Sequence, residues 1–201
     1  MVTLLTSLGL VTSCSETDDE NSSAEFANWQ VRNDAFFLTL EDSLRSNTAL
    51  WTKWKSYTKN PQAAGANTDY VYAKLLKEGD GGDSPLYSDT VRIAYRGRLL
   101  PSASYPQGYV FDQTYVGDFD IATTDVYDAA ISGFTEGFAT ALQHMHIGDC
   151  YRIYVPYVLG YGTTVSSSGK VPAYSVLVFD IVLIDYATGT KTLTPWSSRQ
   201  L

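Results

Sequence analysis

Asp89-Thr-Val-Arg-Ile-Ala-Tyr-Arg-Gly97 alternates apolar and polar residues with period two, and in Leu177-Val-Phe-Asp-Ile-Val-Leu183, near the other end of the chain, Leu177, Phe179, Ile181 and Leu183 recur at the same spacing. Successive side chains of a strand point to opposite faces, so Val91, Ile93, Tyr95 and Leu99 mark one buried face, and Leu177, Phe179, Ile181 and Leu183 another. Tyr151, Ile153 and Val155 alternate in the same way. Asp69 to Lys77 reads as a further strand, closed by Glu78-Gly-Asp-Gly-Gly-Asp83, whose glycines permit a turn with positive φ. Between these runs Phe134, Phe138, Ala141, Leu142 and Met145 recur at helical spacing, with Gly148 where a helix would end. Several antiparallel strands and one short helix predict an α+β fold, an antiparallel sheet curled around a short central helix, each burying one face against the other. Periodicity does not specify the order of the strands.

Upstream, Phe26, Trp29, Phe36, Phe37, Leu40 and Leu44 recur at intervals near 3.6, and Ser22-Ser-Ala-Glu25 has the form of a capping box, which predicts one amphipathic helix over 22–46. A second short helix is expected over Thr48–Tyr57, carrying Leu50, Trp51 and Trp54. The polar run Lys59-Asn-Pro-Gln-Ala-Ala-Gly-Ala-Asn-Thr68 then breaks the pattern and places a domain boundary. Burying a Phe or Trp contributes roughly 2 to 3 kcal/mol, so a helix with this many aromatics on one face must dock. It docks either on its own domain or on a second copy of the chain, as a homodimer through the N-terminal helices. The chain thus divides into 1–14, 15–23, an N-terminal helical segment 24–68, the sheet domain 69–187 and a tail 188–201.

The first two divisions rest on Leu4-Leu-Thr-Ser-Leu-Gly-Leu-Val-Thr-Ser-Cys14 and the Ser-Glu-Thr-Asp-Asp-Glu20 that follows. About ten apolar residues are too few to cross a bilayer as a helix. Ending in small residues and a cysteine, the run resembles a bacterial lipoprotein signal, which makes Cys14 the lipidation site and implies a membrane anchor in the cell envelope, on the outer membrane. No Lys or Arg precedes the run, where such signals carry a basic segment. The acidic run reads as a flexible tether, and it also resembles the post-cysteine signal that sends lipoproteins of Bacteroidetes-type bacteria to the cell surface.

With 201 residues, 44% apolar and 13% aromatic, the chain has ample material for a packed core. A formal charge of −8 without a basic stripe argues against nucleic acid as a partner. Cys150 lies in a strand-like run and reads as a buried, inert thiol. His144 and His146, the only histidines, are two apart and cannot build a metal site by themselves, so neither metal nor cofactor is expected.

Taken in order, Tyr95, Val110-Phe-Asp112, Ile131-Ser-Gly-Phe-Thr-Glu-Gly137, Met145-His-Ile-Gly148, Val155-Pro156, Gly160-Tyr-Gly162, Val171-Pro-Ala173 and Leu177-Val-Phe-Asp180 form a spaced set covering about 115 residues. The set resembles the FKBP-type peptidyl-prolyl cis-trans isomerases. The resemblance implies that Tyr95, Phe111, Ile131, Phe134, Tyr161, Val171 and Phe179 line a proline pocket, with Phe134 as its floor and Phe111 and Phe179 as walls. It implies a catalytic set of Asp112, Tyr95 and Tyr161. Asp112 would be partly desolvated at the pocket edge and bonded to a tyrosine such as Tyr95, Tyr161 would donate to the substrate carbonyl, and the Ile131 amide would bond the peptide on the other side. The partners it implies are proline-containing polypeptide clients.

Four departures from the family pattern stand out. Phe134 replaces the usual Trp, no Lys or Arg follows Phe111-Asp112 closely enough for an ion pair, Ala173 stands where the family has a second proline after Val171, and the loop Thr163-Thr-Val-Ser-Ser-Ser-Gly-Lys170 is polar. Two functions remain open at this level: a catalyst of proline isomerisation, and a chaperone-like binding module that uses the same pocket or the N-terminal helices.

Overall fold

Seven strands make one antiparallel sheet in the computed structural model, which describes residues 24–197. They are β1 (Trp51–Lys55), β2 (Tyr70–Lys77), β3 (Thr90–Arg98), β4 (Val110–Gln113), β5 (Tyr127–Ala130), β6 (Cys150–Val155) and β7 (Leu177–Ala187). Their spatial order is β1-β2-β6-β7-β3-β4, and β5 pairs with the first half of β3 while β4 takes the second half. Helix α1 (Trp29–Ser46) precedes the sheet and the seven-residue α2 (Glu136–Leu142) lies between β5 and β6. The expected lipidation site at Cys14 and the expected tether 15–23 lie outside the described residues.

The register sorts the side chains into two faces. Tyr95 sits opposite Ile181, Gly97 opposite Phe179 and Ile153 opposite Phe179, and this inner face receives α2 through Phe138, whose ring meets Phe179 at 4.8 Å and Tyr95 at 5.9 Å. The outer face carries Tyr72 opposite Tyr154, and Arg96 and Arg152 opposite Asp180. Asp180, 8% exposed, accepts hydrogen bonds from Arg98 at 2.7 Å and from Arg152 at 2.6 and 3.0 Å, so the buried carboxylate is neutralised from two sides.

Helix α1 docks on that outer face of its own sheet. Phe37 meets Tyr72 edge-on at 5.3 Å, Phe36 meets Tyr154 at 5.8 Å, and Leu40 and Trp29 are buried with them. The aromatic stripe is thereby used within the chain, and the opposite side of the helix leaves Val31 and Leu38 exposed. The expected helix is interrupted: Ala24 and Glu25 are helical, a turn follows over 26–28, and α1 begins at Trp29. Asn28 adopts a left-handed φ of 52°, which ends the preceding turn, and Glu25 accepts hydrogen bonds from the Ser104 backbone N–H and hydroxyl.

The segment expected as a second helix, 48–57, contains strand β1. Trp51 and Trp54 are three apart, so in a strand they face opposite ways: Trp51 stacks on Tyr154 outside, and Trp54 packs on Tyr151 and His144 inside. Two large rings wanted on both faces of the sheet outweigh a weak helical pattern. Because β1 pairs with β2 along its whole length, the expected boundary at 59–68 is a connection inside the sheet. The hydroxyls of Ser56 and Thr58 bond Glu136 in the first turn of α2, which ties this connection to the inner helix. In the tail, Trp196 lies under the Arg92 guanidinium at 5.5 Å.

Cys150 is half-buried on β6, and burial pushes its thiol up to about 11. Thiolate is then a fraction of roughly one in a thousand at pH 8, against about a quarter for an ordinary cysteine, and the thiolate is the nucleophile. Alkylation followed on the Cys150 peptide by mass spectrometry should therefore run about 250 times slower at pH 8 than in a free peptide, rising about tenfold per pH unit. A rate equal to that of a free peptide would show that the thiol is not buried.

Candidate active site

The inner face at the junction of β3, β4, β7 and α2 carries a cluster of aromatic rings. Phe111 of β4, 6% exposed, and Phe179 of β7, 5% exposed, meet edge to face at 5.5 Å. Phe134 ends the short 3-10 turn Ile131–Gly133 and lies nearly parallel to Phe138, 4.7 Å away with a 23° tilt. Phe138 in turn stands perpendicular to Phe179. Neighbouring rings held at these separations and mostly edge-on are mutually attractive, so the rings brace each other.

Two adjacent rings need the gap left by Gly97. A Cβ built at that residue would lie 2.6 Å from Phe179 Cε1 and 2.7 Å from Phe111 Cζ, closer than carbon atoms can approach. The glycine is what lets both rings close over β3.

At the rim the Tyr95 hydroxyl donates to Asp112 Oδ2 at 2.6 Å. Burial, and then this bond, raise the Tyr95 pKa, so the phenol stays protonated and holds the carboxylate in one orientation. Asp112 is exposed rather than partly desolvated, because β4 is a four-residue edge strand and only Phe111 of its pair points inward. Among the described residues no ion pair reaches Asp112, and the basic end of the polar loop, Lys170, approaches the Phe111 carbonyl at 3.5 Å instead. Tyr161 is 42% exposed in the turn after β6. Burial and the Asp112 charge raise its pKa, and its hydroxyl has no partner among the described residues, so it remains a protonated donor.

The expected residues thus separate into groups. Tyr95, Phe111, Asp112 and Phe179 are joined by direct ring contacts or a hydrogen bond, Phe134 joins them through Phe138, and Tyr161 lies near enough to feel the charge of Asp112. Val171, 1% exposed, is held by a hydrogen bond from its N–H to the Ser166 hydroxyl. Ile131 differs from expectation. Its side chain is fully buried and its N–H donates to the Asp89 carbonyl at 3.0 Å, continuing the β3–β5 ladder, so the amide is engaged in the fold. Phe134 is only partly buried, with Phe138 as the buried ring behind it.

Sequence reasoning placed Phe138 in the core without seeing its contact to the floor, although it follows Phe134 by four positions, the separation that aligns side chains on a helix. It missed Tyr127, 48% exposed on β5, whose ring edge meets both Tyr95 at 6.3 Å and Phe134 at 6.2 Å. Tyr127-Asp-Ala-Ala130 has no alternation to announce a strand.

A sequence model of the FKBP-type peptidyl-prolyl cis-trans isomerase family matches residues 82–184, just over half of the chain. The chain belongs to that family. Among curated relatives, the macrophage infectivity potentiator of Trypanosoma cruzi is 34% identical over 134 residues, covering 67% of this chain and 61% of that protein. The FKBP-type peptidyl-prolyl cis-trans isomerase FkpA of Escherichia coli (strain K12) is 28% identical over 153 residues, 76% of this chain and 51% of that protein. The chain therefore spans between half and two thirds of the length of these curated relatives. The crystal structure of a peptidyl-prolyl cis-trans isomerase from Pseudomonas syringae shares the fold, with a TM-score of 0.51 at 21% identity, covering 78% of this chain and 96% of that one. Residues 82–184 run from the loop before β3 into β7, so the match contains every residue of the aromatic cluster and its rim.

Proposed function

We propose that this chain catalyses cis-trans rotation about Xaa-Pro bonds in polypeptide clients. The observation that carries the reading is the Tyr95–Asp112 hydrogen bond at the rim of a ring cluster built from Phe111, Phe134, Phe138 and Phe179. Rotation must cross a barrier of about 18 to 20 kcal/mol, most of it amide resonance, and no bond is made or broken. A catalyst therefore needs neither a nucleophile nor a metal, only a surface that binds the twisted amide better than the planar one. The rings take the proline side chain and exclude the water that favours the polar planar amide. Tyr161 offers a hydroxyl to the substrate carbonyl, and Asp112, oriented by Tyr95, holds negative charge beside the carbonyl carbon as resonance is lost.

Asp112→Ala is expected to lower kcat/KM in a protease-coupled assay on a proline tetrapeptide by several-fold to about tenfold, the low end of what an oriented charge contributes, because this carboxylate is open to solvent. Tyr95→Phe should have a similar effect, and the double variant should be little worse than either single one, since the two act as a unit. An unchanged rate in folded Asp112→Ala would remove the carboxylate from the mechanism. The polar loop 163–170 favours a second reading, a client-binding module without catalysis. A parent chain that binds proline peptides yet leaves the uncatalysed rate unchanged would establish it.

We place this activity in the cell envelope, on a lipid anchor at Cys14 attached to the outer membrane. Support comes from the apolar run ending at Cys14 and the acidic tether after it. Mass spectrometry of the membrane fraction decides the point: an acylated Cys14 at the mature N-terminus is the expected species, and an unmodified peptide containing Cys14 would refute it.

A further inference from the structure

The connection Pro172–Val176, between pocket residue Val171 and strand β7, is tied at one end to the pocket and at the other to helix α1. Tyr174 has a φ of 60°, a left-handed conformation that a bulky residue keeps only when its surroundings over-determine it. Its N–H donates to the Gly162 carbonyl at 3.0 Å, which fixes the turn presenting Tyr161. On the Val171 side, the Ser175 hydroxyl donates to the Pro172 carbonyl at 2.7 Å.

Both residues after Tyr174 are held by α1. The Trp29 indole Nε1 donates to the Ser175 hydroxyl at 2.8 Å, and the Val176 N–H donates to Asn33 Oδ1 at 2.7 Å. Asn33 uses its remaining polar end locally, its Nδ2 donating to the Trp29 carbonyl at 2.7 Å. Asn33 is fully buried and Trp29, Ser175 and Val176 are 6%, 2% and 1% exposed, so water cannot replace a lost partner. These bonds go to an irregular connection, not to a paired strand, while the docking of α1 on the sheet rests separately on Phe37 and Leu40.

We infer that Trp29 and Asn33 are positioning residues of the proline pocket, which through Ser175 and Val176 set the placement of Tyr161 and Val171. Neither touches the substrate. The inference rests on the pocket assignment above, and its test has a readout independent of turnover.

In the full chain, Trp29→Phe keeps an aromatic ring, though a smaller one, and removes the N–H donor, and Ser175→Ala removes the relay without touching the indole. Amide exchange measured by NMR should accelerate about tenfold or more at Tyr174 and Val176 in both variants, while amides of β2 and β6 keep their protection. In the protease-coupled assay, KM for a proline tetrapeptide should rise about three- to tenfold, a change that a smaller folded fraction would not produce. The double variant should match the single ones, because both changes cut one path. Unchanged exchange at Tyr174 and Val176 would overturn the inference, as would faster exchange spread evenly over the sheet, or a locally loosened connection with KM unaltered. If the parent proves inactive, the isomerase reading falls, and the exchange pattern alone decides whether α1 braces this connection. Asn33→Ala is the confirming variant: local acceleration at Val176 supports the brace, and protection equal to the parent overturns it.

Discussion

Phe138→Ala is expected to destabilise the chain by about 3 to 5 kcal/mol, the range for deleting a buried aromatic ring. Phe138 is 3% exposed and stands against Phe134, Phe179 and Tyr95 at 4.7, 4.8 and 5.9 Å, so its loss empties the space behind the pocket floor and weakens the seat of α2 on the sheet together. For a chain of this size the melting temperature should drop by roughly 10 °C. Phe134→Ala should cost less, about 1 to 2 kcal/mol, because that ring is only partly withdrawn from water. Thermal unfolding of the two variants orders them. A Phe134→Ala change as large as that of Phe138→Ala would mean that the floor, not the ring behind it, holds the helix.

Gly97→Ala should do the reverse, sparing most of the stability and damaging the site. The added methyl meets Phe179 Cε1 at 2.6 Å and Phe111 Cζ at 2.7 Å, and both rings are too deeply packed to swing into solvent. Over-packing of this kind costs about 1 to 3 kcal/mol. The displaced atoms are the two walls that must grip the proline ring, so kcat/KM should fall about ten- to a hundredfold with the chain still folded, since misplacement of order 1 Å is enough for such a loss. Near-parental kcat/KM in the protease-coupled assay would show that Phe111 and Phe179 do not form the grip.

The strands that carry the site were legible because their period is strict. Thr90–Arg98 and Leu177–Ala187 alternate through the residues that face α2, and Cys150–Val155 does so between them. Two elements were not legible. Trp51–Lys55 carries its tryptophans at a spacing that suits a helix as well as a strand exposed on both faces to packing partners, and local sequence cannot choose between them. Tyr127–Ala130 is short and has no periodicity, so Tyr127 could not be placed at the rim.

At the site, the order of the residues along the chain pointed to a common place because family membership carries a topology, and the structure joins Tyr95, Phe111, Asp112 and Phe179 directly and Phe134 through Phe138. Local pattern does not carry solvent exposure or competition for hydrogen bonds. Asp112 is open to water because β4 is an edge, and the Ile131 N–H is taken by Asp89 because β5 extends the ladder.

By itself, then, the sequence determined the α+β class, the faces of the main strands, the central helix and the family, since each follows from residue type and spacing along the chain. Only the tertiary structure decided where the N-terminal aromatics are buried, that Phe138 backs the floor, that Gly97 makes room for two walls, and that Trp29 and Asn33 reach Ser175 and Val176 across 146 and 143 positions. Those facts depend on which surfaces meet once the sheet has closed on its helices. Such meetings are set by the packing of whole elements, for which no short stretch of residues holds the pattern.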